Sequence, residues 1–385
     1  MPSEPAPSSS AARLQRISDW LFQTALPFWA ERGMDPVHGG FYERLNLDGT
    51  PDIDCARRVR VQARQIYVFA HAARLGWRGP AEQIVEAGFE FVTHRAWCDD
   101  GGWAHMLSPQ GAIADPTRDA YDHAFVLLAM AWAYRALGRH DPITWAERTL
   151  EFLDAEISDE RHGGYLEGLP PKTPRRQNPH MHLLEAMLAL LEATGEDAYA
   201  DRAHDLVDLF RRRFFDAKSG VLQEYFEADW SPVQGETGAI VEPGHHYEWV
   251  WLLWRYEQAT GELMGDYMER LYDFAERAAV GPYGFALDAV TRDGAPAKAT
   301  RRLWPQTEAL KASLAMTASG RRDASARIDS LIDGIFDIYI RDDPPGAWTD
   351  VIDDVSGRPA VDHIPASIPY HIMSAFSETL RVLER

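Results

Sequence analysis

The chain has 385 residues, with 59 Asp or Glu against 39 Lys or Arg, a formal net charge of −20. Such a field repels nucleic acid and anionic membrane surfaces, and no apolar stretch reaches the roughly 18 residues of a membrane-spanning helix. Two cysteines, Cys55 and Cys98, have neither metal spacing nor the density of a disulfide framework, which fits a cytoplasmic protein.

Residues 1–10 lack the basic and apolar regions of a signal peptide and read as a short disordered tail. Residues 11–385 read as one domain, because a single unit recurs through them. A glycine followed by an aromatic or apolar residue appears at Gly40-Phe41, Gly102-Trp103, Gly164-Tyr165, Gly220-Val221, Gly284-Phe285 and Gly346-Ala347-Trp348. The intervals are 62, 62, 56, 64 and 62 residues. A fixed period means one supersecondary unit, copied and stacked.

In chain order the unit is helix, long glycine-rich loop, helix, short glycine turn. Amphipathic, charged helices are predicted near 11–33, 80–95, 142–157, 198–214, 263–278 and 321–340. A second set is predicted near 59–75, 119–137, 178–194, 244–260, 303–319 and 366–384. This set is apolar on most sides, as 125–133 and 249–254 illustrate, and such helices are buried. Gly76, Gly138, Gly195, Gly261 and Gly320 stand where the left-handed residue that closes a helix belongs. Strand-like runs open at the first glycine series, and Asp48-Gly49 and Asp293-Gly294 are hairpin signals. The expectation is an all-α fold. Twelve helices in two concentric rings form an (α/α)6 toroid, with short β-hairpins in the long loops at the active-site end. An open helical array is the competing shape, but open arrays carry polar capping repeats and these ends look like the rest.

The 43 aromatic side chains (13 Trp, 14 Tyr, 16 Phe) are mostly core material, with a few near the loop ends available to stack on a sugar. Unusual polar residues recur near the N-terminal part of each apolar helix. They are Arg64; Tyr121 and His123; Asn178 and His182; His245 and Glu248; Trp304, Gln306 and Glu308; and His371. In a toroid these ends share one mouth of the central cavity, and such convergence is what a small-molecule site requires. Each has a plainer reading. A lone buried histidine is commonly a hydrogen-bonded core residue, and Glu185 could simply orient His182. The common phase of these residues in successive repeats favours a shared site.

His245 and Glu248 are three apart on a helix and so are neighbours. A carboxylate beside an imidazole raises its basicity. His371 comes from the helix that meets the first repeat when the ring closes, and two histidines across one pocket suit acid–base chemistry near neutral pH. No nucleophile elbow, P-loop or dinucleotide fingerprint is present. The spacings at 180–182 and 245–248 are open to metal binding, but no dense ligand set accompanies them. Glu248 and Glu308 offer the two carboxylates of a glycoside hydrolase, a chemistry that does not use the surplus of histidines.

Taken together, these residues resemble the N-acylglucosamine 2-epimerase family over nearly the whole chain. The resemblance rests on Gln-x-Arg at 62–64, Asn-x-x-x-His-x-x-Glu-Ala at 178–186, Pro-Gly-His-x-x-Glu-Trp at 243–249, Trp-x-x-x-Glu at 304–308 and Tyr-His at 370–371. Within the family, the stretches around Trp304 and Tyr121 look most similar to the mannose isomerase and sulfoquinovose isomerase branch. The resemblance implies cofactor-free, metal-free isomerisation or 2-epimerisation of a monosaccharide. It implies that His245 and His371, with Glu248, are the acid–base machinery. It further implies that Arg64, Tyr121, Asn178, His182, Trp304, Gln306 and Glu308 contact the sugar or support the histidines.

The expected reaction is aldose–ketose isomerisation through a cis-enediolate, mannose to fructose first, with His371 removing the C2 proton. The alternative is 2-epimerisation, and less favoured is a glycoside hydrolase or a noncatalytic sugar-binding protein. Beyond the sugar no partner is expected: neither nucleic acid nor membrane, and a monomer or homodimer. The arginines at 57, 58, 60, 175 and 176 leave open whether the sugar carries an anionic group.

Overall fold

A computed structural model describes residues 9–278 and 284–383. Its first half contains α1 (Ser9–Asp19), α2 (Leu26–Arg32), α3 (Val59–Arg74), α4 (Ala81–Arg95), α5 (Ala120–Leu137), α6 (Asp141–Phe152) and α7 (Asn178–Thr194). Then come α8 (Asp197–Leu209), the short α9 (Gly235–Ala239), α10 (Pro243–Thr260), α11 (Gly265–Ala278), α12 (Leu303–Ala318), α13 (Arg322–Gly334) and α14 (Pro369–Leu383). The helix predicted over 11–33 is α1 and α2 joined by a π-helical segment, Trp20–Ala25. Similar π segments end α6, α8 and α13, at Leu153–Ile157, Phe210–Phe214 and Ile335–Tyr339. Ser9 and Ser10 belong to α1; the rest of the expected tail lies outside the described residues.

The apolar set forms the inner ring. α3, α5, α7, α10, α12 and α14 pack each on the next, and α14 returns to α3. Closure is also made in the loops, where Arg44–Asn46 pairs antiparallel with His363–Pro365. Gln65 Nε2 donates to the Ala366 carbonyl at 2.6 Å. The architecture is thus the closed (α/α)6 toroid, not an open array. Burying an aromatic or aliphatic side chain stabilises by about 1.5–3 kcal/mol, and α10 alone buries Trp249, Trp251, Leu253 and Trp254. Trp249 stacks on Phe210 of the outer ring with centroids 4.4 Å apart. Among the described residues no helix is long and apolar enough to cross a membrane.

Local hairpins occur where the turn signals lie, as Met106–Leu107 with Ile113–Asp115 and Ala289–Thr291 with Pro296–Lys298. Other ladders join successive repeats, which turn signals cannot reveal. Arg57–Arg58 pairs with Met106–Leu107, Arg175–Arg176 with Tyr225–Phe226, and Thr300–Arg302 with Val351–Asp353. The strand leading into each inner helix is thereby tied to the next repeat's loop.

In each of the first five repeats one side chain locks that loop to the helix. Gln62 Oε1 accepts from the Phe41 N–H at 2.7 Å, and Gln306 Oε1 from Ala286 at 2.9 Å. His123, His180 and His246 do the same through Nε2, for Trp103, Tyr165 and Leu222, at 3.0, 2.9 and 3.0 Å. Burial pushes these three imidazoles down to about 4, 3 and 4, so they stay neutral and able to accept. Gln306, expected at the substrate, is therefore a fold residue. Its amide is spent on the Ala286 N–H and carbonyl and on the Arg302 carbonyl. His123, placed with the converging polar groups by its phase, is a lock as well. At Gly164, with φ +71, an added Cβ would lie 2.8 Å from His180 Nε2, so glycine is needed for the lock to close.

Since glutamine and histidine alternate at this position, His180→Gln is expected to keep the melting temperature within a few degrees of wild type. His180→Ala leaves the buried Tyr165 N–H unpaired and costs about 1–3 kcal/mol in urea unfolding. Equal losses in the two variants would contradict the lock.

Candidate active site

The lock residue sets the orientation of its neighbours. Positions two before and two after it are four apart, so they share one helix face, roughly opposite the lock. Two before stand Arg60, Tyr121, Asn178, Gly244 and Trp304; two after stand Arg64, Phe125, His182, Glu248 and Glu308. These faces turn inward and line a cavity of about 520 Å³, which opens at the loop end of the toroid. Arg64, Tyr121, Asn178, His182, His245, Glu248, Trp304 and His371 all line it. Glu308, expected to contact the sugar or support the histidines, is not on the wall and stands on His371. It is fully buried behind His371, one turn deeper than Trp304.

His371 Nδ1 lies 2.8 Å from Glu308 Oε1, and Lys311 Nζ lies 2.7 Å from Glu308 Oε2. Burial alone would lower the Lys311 ammonium, but Glu308, Glu248 and Glu185 outweigh it and raise it. That fixed cation matters for His371. Burial first, then Arg64 and Lys311, hold its imidazole well below the usual histidine value. A neutral ring that donates Nδ1–H to Glu308 leaves the Nε2 lone pair free as a base.

His245 is set the other way. Its Nδ1 lies 2.9 Å from Glu224 Oε2, a residue of the loop that sequence reasoning did not single out. Burial opposes a charge on this ring, but Glu224 and then Glu242 outweigh it and raise it to about 9. The expected partner, Glu248, makes no hydrogen bond to His245. Its Oε1 lies 3.9 Å from His182 Nε2, and burial followed by Glu308 raises its pKa well above the usual carboxylate value. The Asn178 amide reaches His245 Nε2 at 2.9 Å. Its own carbonyl oxygen is otherwise unpartnered, and a turned amide lets that oxygen accept from the protonated ring.

Trp304 stands between the two imidazoles, with centroids 5.3 Å from His245 and 5.6 Å from His371. Gly244 makes room for it: a Cβ there would fall 2.4 Å from the indole. Opposite, Arg64 donates to the Tyr121 hydroxyl at 2.8 Å and the Ser367 carbonyl at 3.3 Å, with its guanidinium 4.0 Å over the Phe125 ring. His182 Nδ1 lies 3.0 Å from Glu185 Oε2, which also accepts from the Tyr370 hydroxyl. Glu185 thus does orient His182. Burial nevertheless takes that ring down to about 4.

Two buried groups, His182–Glu185–Glu248 and Glu248–Glu308–His371, bring donor atoms within 4.8 Å of one another. In the second group the Lys311 ammonium already sits on Glu308, which makes that donor set a poor one for a further cation.

A family model described as N-acylglucosamine 2-epimerase (GlcNAc 2-epimerase) matches residues 40–375. The chain is 35% identical over 383 residues to a mannose-6-phosphate isomerase of Rhizobium meliloti (strain 1021), covering 96% of this chain and 97% of the relative. It is 25% identical to a D-mannose isomerase of Marinomonas mediterranea, over 94% and 95% of the two chains. The cellobiose 2-epimerase structure from Bacillus thermoamylovorans B4167 superposes with a TM-score of 0.87 over 96% of this chain and 99% of that one, at 21% identity, and shares the fold. The chain belongs to the N-acylglucosamine 2-epimerase family and is an isomerase or epimerase.

Proposed function

We propose that this enzyme interconverts an aldose and a ketose, mannose and fructose first, without cofactor or metal. The observation that carries the reading is a pair of imidazoles on one cavity, each with Nδ1 on its own carboxylate, Glu308 for His371 and Glu224 for His245. His371 is neutral and His245 is charged at neutral pH, on either side of Trp304. With an open-chain aldose against the indole, His371 Nε2 takes the C2 proton. The carbonyl oxygen becomes the enediolate oxygen, and Arg64 and the His245 imidazolium donate to it. A well-placed donor of this kind lowers the barrier by about 3–4 kcal/mol. Return of the proton to C1, with the O2 hydroxyl proton passing to O1 as C2 becomes the carbonyl, gives the ketose. Delivery to C2 from the opposite face, by His245, gives the epimer, which is the second reading.

The charges on the wall bear on the substrate. Arg60 is held by Asp122 at 3.0 Å and Arg302 by Asp288 at 3.3 Å, while Glu43 holds Arg58 and Glu167 holds Arg176. Among the described residues, Arg64 is the arginine of the wall without a carboxylate in ion-pair range. A phosphate would find one guanidinium free of carboxylates, Arg64, and four already paired, so a neutral hexose suits the cavity better. Two free cysteines and an acidic chain fit a cytoplasmic enzyme.

Chelator-treated protein incubated in heavy water with mannose, glucose or fructose is expected to place deuterium at C1 of the ketose and C2 of the aldose. His371→Ala and His245→Ala are expected to abolish exchange with circular dichroism unchanged. Retained exchange in either variant, or loss with chelator, would overturn the assignment. The rate should be flat around neutral pH and fall as pH rises through about 9, where His245 loses its proton. A profile rising through that range would contradict the roles. Finally, kcat/KM for mannose is expected to exceed that for mannose 6-phosphate; the reverse order would make the wall an anion site.

A further inference from the structure

The repeats allow the same loop–helix junction to be compared five times. Four residues before each lock stand Arg58, Asp119, Arg176, Glu242 and Arg302, at the entrance to the inner helix. Two residues after each locked N–H stand Glu43, His105, Glu167, Glu224 and Asp288. In repeats one and three the carboxylate takes both the backbone N–H and Nε of its arginine: Glu43 from Arg58, and Glu167 from Arg176. In repeat five, Asp288 takes the Arg302 N–H at 2.7 Å and lies 3.3 Å from its Nε. The second repeat exchanges the signs, with His105 against Asp119, and His105 is held by Asp122 at 2.6 Å.

The fourth repeat alone, among these five, sets an acid against an acid. The backbone contact persists, with Glu242 N–H donating to Glu224 Oε1 at 3.3 Å, but no guanidinium follows it. Glu224 Oε2 instead meets His245 Nδ1 at 2.9 Å and Gln177 Nε2 at 3.0 Å. Glu242 reaches Arg302 of the next repeat at 3.4 Å, so Arg302 does not serve Glu224.

We propose that replacement of an arginine by Glu242 in the fourth repeat frees the loop carboxylate Glu224 to become the positioning residue of His245, holding it as the proton-donating imidazolium. The inference rests on the acid–base role given to His245 above. The groups facing this ring from the elements around it are consistent with it. Glu224 comes from the loop, Glu242 and Glu248 from its own segment, and neutral His182 from α7, while α12 presents the uncharged Trp304. His246 next to it is spent on the Leu222 N–H.

The test is a titration of the His245 ring nitrogens by NMR in ¹⁵N-histidine-labelled protein, assigned against His245→Asn. Glu224→Gln is expected to lower the midpoint by about one pH unit or more, with the alkaline limb of kcat/KM moving by the same amount. Glu242→Arg restores the pairing of the other repeats, draws Glu224 away, and is expected to lower the midpoint likewise, with the melting temperature near that of wild type. An unchanged midpoint in both variants would overturn the inference, and so would a midpoint that moves in Glu224→Gln but not in Glu242→Arg. The titration needs no substrate. A protein without sugar turnover would therefore defeat the proposed activity while the NMR result still decides this inference.

Discussion

Most of the cavity wall depends on one hydrogen bond in each of the first five repeats, from the backbone N–H of the loop to a glutamine or histidine on the inner helix. It fixes the rotation of the helix about its axis. Once Gln62 or His180 faces the loop, residues two positions either side must face the centre, because four residues are close to one full turn. Arg64 and His182 are delivered to the cavity in this way, as are Asn178 and Trp304. The site is therefore built on rigid elements whose orientation is over-determined by packing, inter-repeat strands and the lock.

On that frame the fold departs from its own repeat where chemistry needs it. The lysine at 311 places a cation in the dry centre of the ring, and together with Arg64 it keeps His371 uncharged. Two acids at one junction charge His245 instead. A base and an acid with matched but opposite states at one pH are what a reversible proton transfer between adjacent carbons requires. Gly244 is a third departure, giving up a wall side chain so that Trp304 can lie between the two imidazoles.

Much of this was legible in the sequence because it is periodic. The glycine series, both helix sets and the closed toroid follow from spacing and polarity, and the motif-bearing residues Arg64, Asn178, His182, His245, Trp304 and His371 do line the cavity. Phase alone, however, does not separate function from structure. A repeat places structural side chains in register as faithfully as functional ones, so His123, His180, His246 and Gln306 share a phase because they lock loops. The two classes differ by two residues along the helix, a distinction that needs the direction of each side chain. Glu224 escaped notice because it lies in a loop 21 residues before its partner, where no helical spacing points. Glu248 was paired with His245 on spacing, yet three-residue neighbours share a face without having to touch, and the loop carboxylate takes the ring nitrogen first. Lys311 carries no sequence signal, because a lysine in the core is unexpected until its acidic partners are seen around it.

The central claim is that the two imidazoles facing the sugar carry different numbers of protons. Neutron diffraction from a deuterated crystal near pH 7 reads this directly. The account predicts deuterons on both ring nitrogens of His245 and on Nδ1 alone of His371. A doubly deuterated His371 beside a singly deuterated His245 would contradict it.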